Sequence, residues 1–151
     1  MAGSVKVRDA SALLSDVYRN VRMAEDSIIN LMPKVTEEKL KNMLTVQISV
    51  YSAFSSRAAK ELAEAGVKPE EENMMTKMGA KMGILMNTLK DSTQEHLAQM
   101  LIEGTTMGVG ELLRAIRDAQ NNGISGEALR LANDVLSYEE QVVEEIKGYL
   151  R

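Results

Sequence analysis

Apolar residues recur along this chain at alternating steps of three and four, the spacing that lines one face of an α-helix. Leu14, Val17, Val21, Ala24, Ile28 and Leu31 make the first such stripe and predict a helix over about Ser11 to Met32, stopped by Pro33. Thr36 then offers an N-cap, and Glu37 and Glu38 put negative charge in the first turn of a second helix, where the helix dipole favours it. Its inner stripe is Leu40, Leu44, Gln47, Tyr51, Phe54, Ala58 and Leu62, and Gly66 supplies a left-handed stop. Pro69 followed by Glu70, Glu71 and Glu72 opens a shorter helical segment reaching about Asp91. Ser92-Thr93-Gln94-Glu95 reads as a capping box that begins a new helix. That helix carries Leu97, Leu101, Val109, Leu112 and Ile116 inward and ends near Asn121-Asn122-Gly123. Ser125 is the expected cap of a last helix running almost to Arg151.

These elements predict an all-α protein: an antiparallel four-helix bundle with a short extra helix between the second and third long ones, forming one domain over residues 1–151. Composition agrees. Hydrophobic residues make up 44% and charged residues 26% of 151, an ordinary globular balance, and low aromatic content weakens any strand reading. A net charge of −4 argues against a nucleic-acid partner, which would need a basic face. No apolar run approaches the roughly 18 residues that cross a bilayer, so no membrane partner is expected. With no signal-peptide pattern at the start, the expected location is the cytoplasm. The absence of cysteine removes disulfides, thiol catalysis and thiolate metal sites together.

Most charges fall outside the apolar stripes, but four polar residues fall inside them. Glu25 is in phase with Val21, Ile28, Ile29 and Met32, and Glu139 is ringed at helical spacing by Val135, Leu136, Val142, Val143 and Ile146. Gln47 and Tyr51 lie centrally in the second stripe. A buried carboxylate has to be paired, hydrogen-bonded, metal-bound or protonated, because a bare desolvated charge costs several kcal/mol. Glu25, Gln47, Tyr51 and Glu139 are therefore expected to form a polar cluster in the core, either a structural network or a residual metal or small-ligand site.

The segment Tyr18 to Val35, with AEDSIINLMPKV, resembles the first-helix signature of the stress-induced ferritin-like proteins of the YciF type. Leu136, Glu139 and Ile146 resemble that family's closing metal-ligand helix. The resemblance implies a ferritin-like fold and matches Glu25 and Glu139 to carboxylate ligands of a di-iron centre. It also places Thr45 and Gln47 where the family has Glu and His on the second helix, and Ile102 and Thr105 at the matching positions of the third. Such a centre needs Glu-x-x-His motifs, and this chain has none. Its one histidine, His96, falls on an outer face, as does Glu103. The resemblance thus implies a degenerate site and a non-catalytic structural or binding protein without cofactor, favoured as a dimeric homo-oligomer. The alternative is a reduced iron or manganese site in a ferritin-like oxidoreductase or stress protein, using Glu25 and Glu139 with water and Gln47 or Tyr51.

Two further patterns bear on function. Met74, Met78, Met82 and Met86 recur at four-residue steps beside Met75. Thioethers suit Cu(I), but with no histidine or cysteine alongside, the stripe reads as a packing surface for the bundle or a partner. Gly104 and Gly108 are also four apart, as are Gly79 and Gly83, and each interior glycine costs a helix about 1 kcal/mol. Close helix approach would offset that cost; an enlarged pocket lined by Gly104, Thr105, Thr106 and Gly108 is the functional alternative. Glu144-Glu145 reads as a solvated pair. No phosphate loop, Ser-His-Asp set or zinc-ligand spacing is present.

Overall fold

The computed structural model describes residues 2–69, 89 and 93–151, with side chains from residue 10 onward. Four long helices carry the fold: α1 (Ala2–Leu31), α2 (Glu38–Glu64), α3 (Gln94–Asn121) and α4 (Glu127–Leu150). No strand occurs among the described residues. α1 starts nine residues before the expected Ser11, because nothing in the preceding sequence forces a stop. It ends in a 3-10 turn, Met32–Lys34, whose second residue is Pro33. The short helix expected between Pro69 and Asp91, with its methionines and with Gly79 and Gly83, lies outside the described residues.

Helix ends differ from the expected caps in instructive ways. Thr36 does not cap α2; the N-cap position is Glu37, with no side-chain hydrogen bond of its own. Gln94 does that work from across the bundle. Its Oε1 accepts from the Thr36 and Glu37 amides at 2.9 and 3.1 Å, and its Nε2 donates to the Lys34 carbonyl at 3.1 Å. α3 is capped by Thr93, one residue past the expected Ser92, with Thr93 Oγ1 accepting from the His96 amide at 3.2 Å. α4 begins after Gly126 at φ +87°, a left-handed conformation that Ser125 could not supply. At the other ends, Gly66 and Gly123 take φ +75° and +76° and turn the chain out of α2 and α3.

The Gln94 contacts put the start of α3 at the same end as the start of α2. Tyr149, near the end of α4, reaches that end too, its hydroxyl donating to Glu37 Oε2 at 2.6 Å. α2 and α3 therefore run the same way. Neighbouring helices are antiparallel throughout: α1 packs on α2 and α3, α4 packs on α3 and α2, and α1 and α4 also meet across the centre. The predicted stripes meet there. Val17, Val21, Leu40, Leu44, Leu62, Leu97, Leu131 and Val135 are fully buried. Each such side chain contributes about 1.5–3 kcal/mol relative to exposure.

Candidate functional site

A cavity of about 260 Å³ opens midway along the bundle between α1 and α3, with α2 and α4 forming its floor. Four helices deliver its polar side chains: Asn20 and Ser27 from α1, Gln47 and Tyr51 from α2, Thr105 and Glu111 from α3, and Glu139 from α4. Much of the remaining wall is apolar, including Ile28, Leu31, Met100, Leu101 and Ile146. Met23 and Met107, 38% and 69% exposed, stand at the opening beside Gly104. A methyl built on Gly104 would meet nothing within 4 Å, so close helix packing does not account for that glycine. Gly108 differs. A methyl there would stand 3.3 Å from Glu139 Oε1 and 3.5 Å from Asn20 Nδ2, so the glycine leaves room for the carboxyl rather than for a helix.

The floor is deeply buried. Gln47, Tyr51 and Glu139 are each 1% exposed. Gln47 Nε2 donates to Glu145 Oε2 at 3.4 Å, which corrects the reading of Glu145 as simply solvated. Because a carboxylate only accepts, this contact fixes the amide orientation and leaves Gln47 Oε1 as a bare acceptor. Asn20 is fixed in the same way: its Nδ2 donates to the Gly108 carbonyl at 3.0 Å, and its Oδ1 has no protein partner. Glu139 Oε1 and the Tyr51 hydroxyl also lack one. Tyr51 is held by an edge-on contact with Tyr138, ring centres 5.5 Å apart, which aligns its ring within the core.

Burial pushes the Glu139 carboxyl up to about 8, and the nearby negative charge of Glu111 adds to the rise. The Tyr51 hydroxyl set against it offsets part of this, although it completes no hydrogen bond with Glu139 Oε1. The same burial, with the charge of Glu139, drives the Tyr51 phenol well above its ordinary range.

The expected cluster is thus only partly assembled. Gln47, Tyr51 and Glu139 share the cavity, whereas Glu25 does not line it. Glu25 is buried but is bound to Arg22, one turn away, through a 3.0 Å ion pair. Gly104, Thr105 and Gly108 line the cavity and Thr106 is exposed away from it. Thr45 is exposed and donates to the Lys41 carbonyl at 2.8 Å, Ile102 packs half-buried against the core, and Glu103 is exposed. His96 is half-buried near the start of α3 and does not line the cavity. Met74, Met78, Met82 and Met86 lie outside the described residues.

The residues present do not fit a di-iron centre. Among the described residues, no three His, Cys, Asp or Glu side chains converge as a metal site. One matched carboxylate, Glu25, is already neutralised by an arginine, and the other, Glu139, shares its cavity with amides and a phenol. Asn20 and Glu111 were not singled out from the sequence, and Glu145 was read there only as part of a solvated pair. Asn20 is in phase with Ala24, Ile28 and Leu31, and Glu111 with Gly104 and Gly108, so the helical register carried that signal.

No family model matches this sequence, and no curated protein matches it either. A solved structure of a point mutant of Mycobacterium smegmatis Dps1 is similar in fold, with a TM-score of 0.79 over 97% of each chain at 13% sequence identity. The chain therefore has the ferritin-like four-helix fold. Among the described residues, no helix is long and apolar enough to cross a membrane.

Proposed function

We propose that this chain is a ferritin-like bundle that has given up di-iron chemistry and serves as a non-catalytic binding protein, its ligand occupying the core cavity. One observation carries the reading: three side chains that are 1% exposed, Gln47, Tyr51 and Glu139, line an otherwise largely apolar cavity and carry polar atoms without partners. Buried polar atoms without partners are costly, and a fold that keeps several of them around one space gains from a ligand that satisfies them. The first-helix motif AEDSIINLMPKV supports placing the chain beside the YciF-type branch of ferritin-like proteins. Exposed Ile29, Val46 and Leu113 support a homo-oligomer, with a dimer the smallest assembly that would cover them, and the sequence favours the cytoplasm.

Elemental analysis of protein purified without chelator, repeated after reconstitution with Fe(II), tests the loss of metal chemistry. The expected result is well under one metal per chain and an unchanged melting temperature in chelator. Iron or manganese at one or more per chain, abolished by both Glu25→Ala and Glu139→Ala, would overturn it in favour of a reduced carboxylate site. That alternative requires Glu25 to leave Arg22 and turn toward Glu139.

A further inference from the structure

If the core cavity is a binding site, as proposed above, its chemistry restricts what enters. Its lining residues carry unpartnered polar atoms, and these are mostly acceptors: Asn20 Oδ1, Gln47 Oε1 and, when ionised, Glu139 Oε1, with the Tyr51 hydroxyl able to accept or donate. The amide donors of Asn20 and Gln47 are already committed, to the Gly108 carbonyl and to Glu145. Two carboxyl groups line the space, Glu139 on the floor and Glu111 toward the surface, and no lysine, arginine or histidine does. Of the cations of α1 whose side chains are described, Arg22 is bound to Glu25 and Arg19 stands 3.6 Å from Asp16 in the adjoining groove; neither lines the cavity. A ligand that brings donors meets these acceptors, and positive charge on it is matched by Glu111 and, once the Glu139 proton is released to water, by Glu139 as well.

We infer that the cavity binds a small organic cation, a primary or secondary ammonium carried on an apolar body, with the ammonium seated among Glu139, Gln47 and Tyr51. The body lies along Ile28, Leu31, Leu101 and Ile146. A cavity of about 150 Å³ holds benzene, so 260 Å³ accommodates roughly ten non-hydrogen atoms. An anion would face two carboxyls and no donor of charge. A neutral alcohol satisfies at most one or two acceptors with a single hydrogen, whereas an ammonium donates two or three.

Calorimetric titration of the full chain with three probes of matched shape tests this: 2-phenylethylammonium, 2-phenylethanol and phenylacetate. The ammonium is expected to bind at least tenfold more tightly than either other probe, and Glu139→Gln is expected to weaken it at least tenfold and to weaken 2-phenylethanol by less. Tyr51→Phe should weaken the ammonium less. Gly104→Leu fills the opening without touching Glu139 and should abolish binding of every probe, which keeps the test decisive if Glu139→Gln fails to fold. Equal binding of 2-phenylethanol and the ammonium would overturn the cation inference and leave the cavity-binding reading standing. Ammonium binding that survives both Glu139→Gln and Gly104→Leu would place it elsewhere and overturn the inference. No binding of any probe would overturn both.

Discussion

Replacing Glu139 by glutamine keeps the shape of the side chain and removes its ability to ionise, so it isolates what one buried carboxyl contributes to pH-dependent stability. In the fold, burial and then the charge of Glu111 raise this group from its ordinary value of 4.5 to about 8. The folded chain therefore holds the proton more tightly than the unfolded chain. The resulting stability is fully present below about pH 4.5 and is lost as pH rises through about 8. At about 1.4 kcal/mol per pH unit, the interval is worth about 5 kcal/mol, an upper figure because a partly open cavity lets water screen the charge. Native stability is only about 5–15 kcal/mol in total, so this single group should dominate the alkaline side of the profile. Urea unfolding followed by far-UV circular dichroism, from about pH 4 to about pH 9, reads the effect. Wild type and Glu139→Gln should coincide at the acid end, where glutamine imitates the protonated acid. At the alkaline end the variant should be more stable by about 3–5 kcal/mol. Parallel profiles, or a variant that is the weaker protein at about pH 9, would refute the argument that Glu139 is held uncharged by its surroundings.

Three other perturbations follow from the same contacts. Arg22→Met strands the buried Glu25 carboxylate and should cost about 2–3 kcal/mol in urea unfolding, a figure lowered for Arg22's partial exposure, with much of it recovered by adding Glu25→Leu. Gly110→Ala should stabilise by about 0.5–1 kcal/mol, since its methyl meets nothing; Gly108→Ala should show less gain or a loss, because its methyl crowds Glu139, and paired thermal melts compare the two. Gln94→Ala strips three hydrogen bonds from the turn between α1 and α2 and should cost about 1–2 kcal/mol; a change under a few tenths would show the clamp to be idle.

The helical stripes were readable because core burial obeys the helical period, and Val17, Leu44, Leu97 and Val135 all fall where that period puts them. Caps were less readable, since a local rule expects Thr36 to serve α2 when the group that does so is Gln94, 58 residues away. That contact depends on which helix ends meet, and no local pattern encodes it. The site shows the same division. Phase alone puts Gln47, Tyr51 and Glu139 on inner faces. It could not tell that Glu25 would be tied to Arg22 rather than turned to the cavity, because a residue three positions away is always within reach on a helix. Nor could it tell that Thr106 would face outward while Thr105 faced in, a difference of one helical step at the edge of the stripe.

The opening beside Gly104 has a kinetic consequence. The groups standing there are Met23 and Met107, both exposed, and a methionine carries three freely rotating bonds. Exposed side chains change rotamer in picoseconds to nanoseconds, whereas separating packed helices takes microseconds or longer. A molecule of the right size would cross this doorway in step with thioether rotation, with no helix displaced. Residence time would then be set by the grip of the floor rather than by the gate. Oxidising either sulfur to the bulkier, polar sulfoxide would slow passage and leave that grip intact.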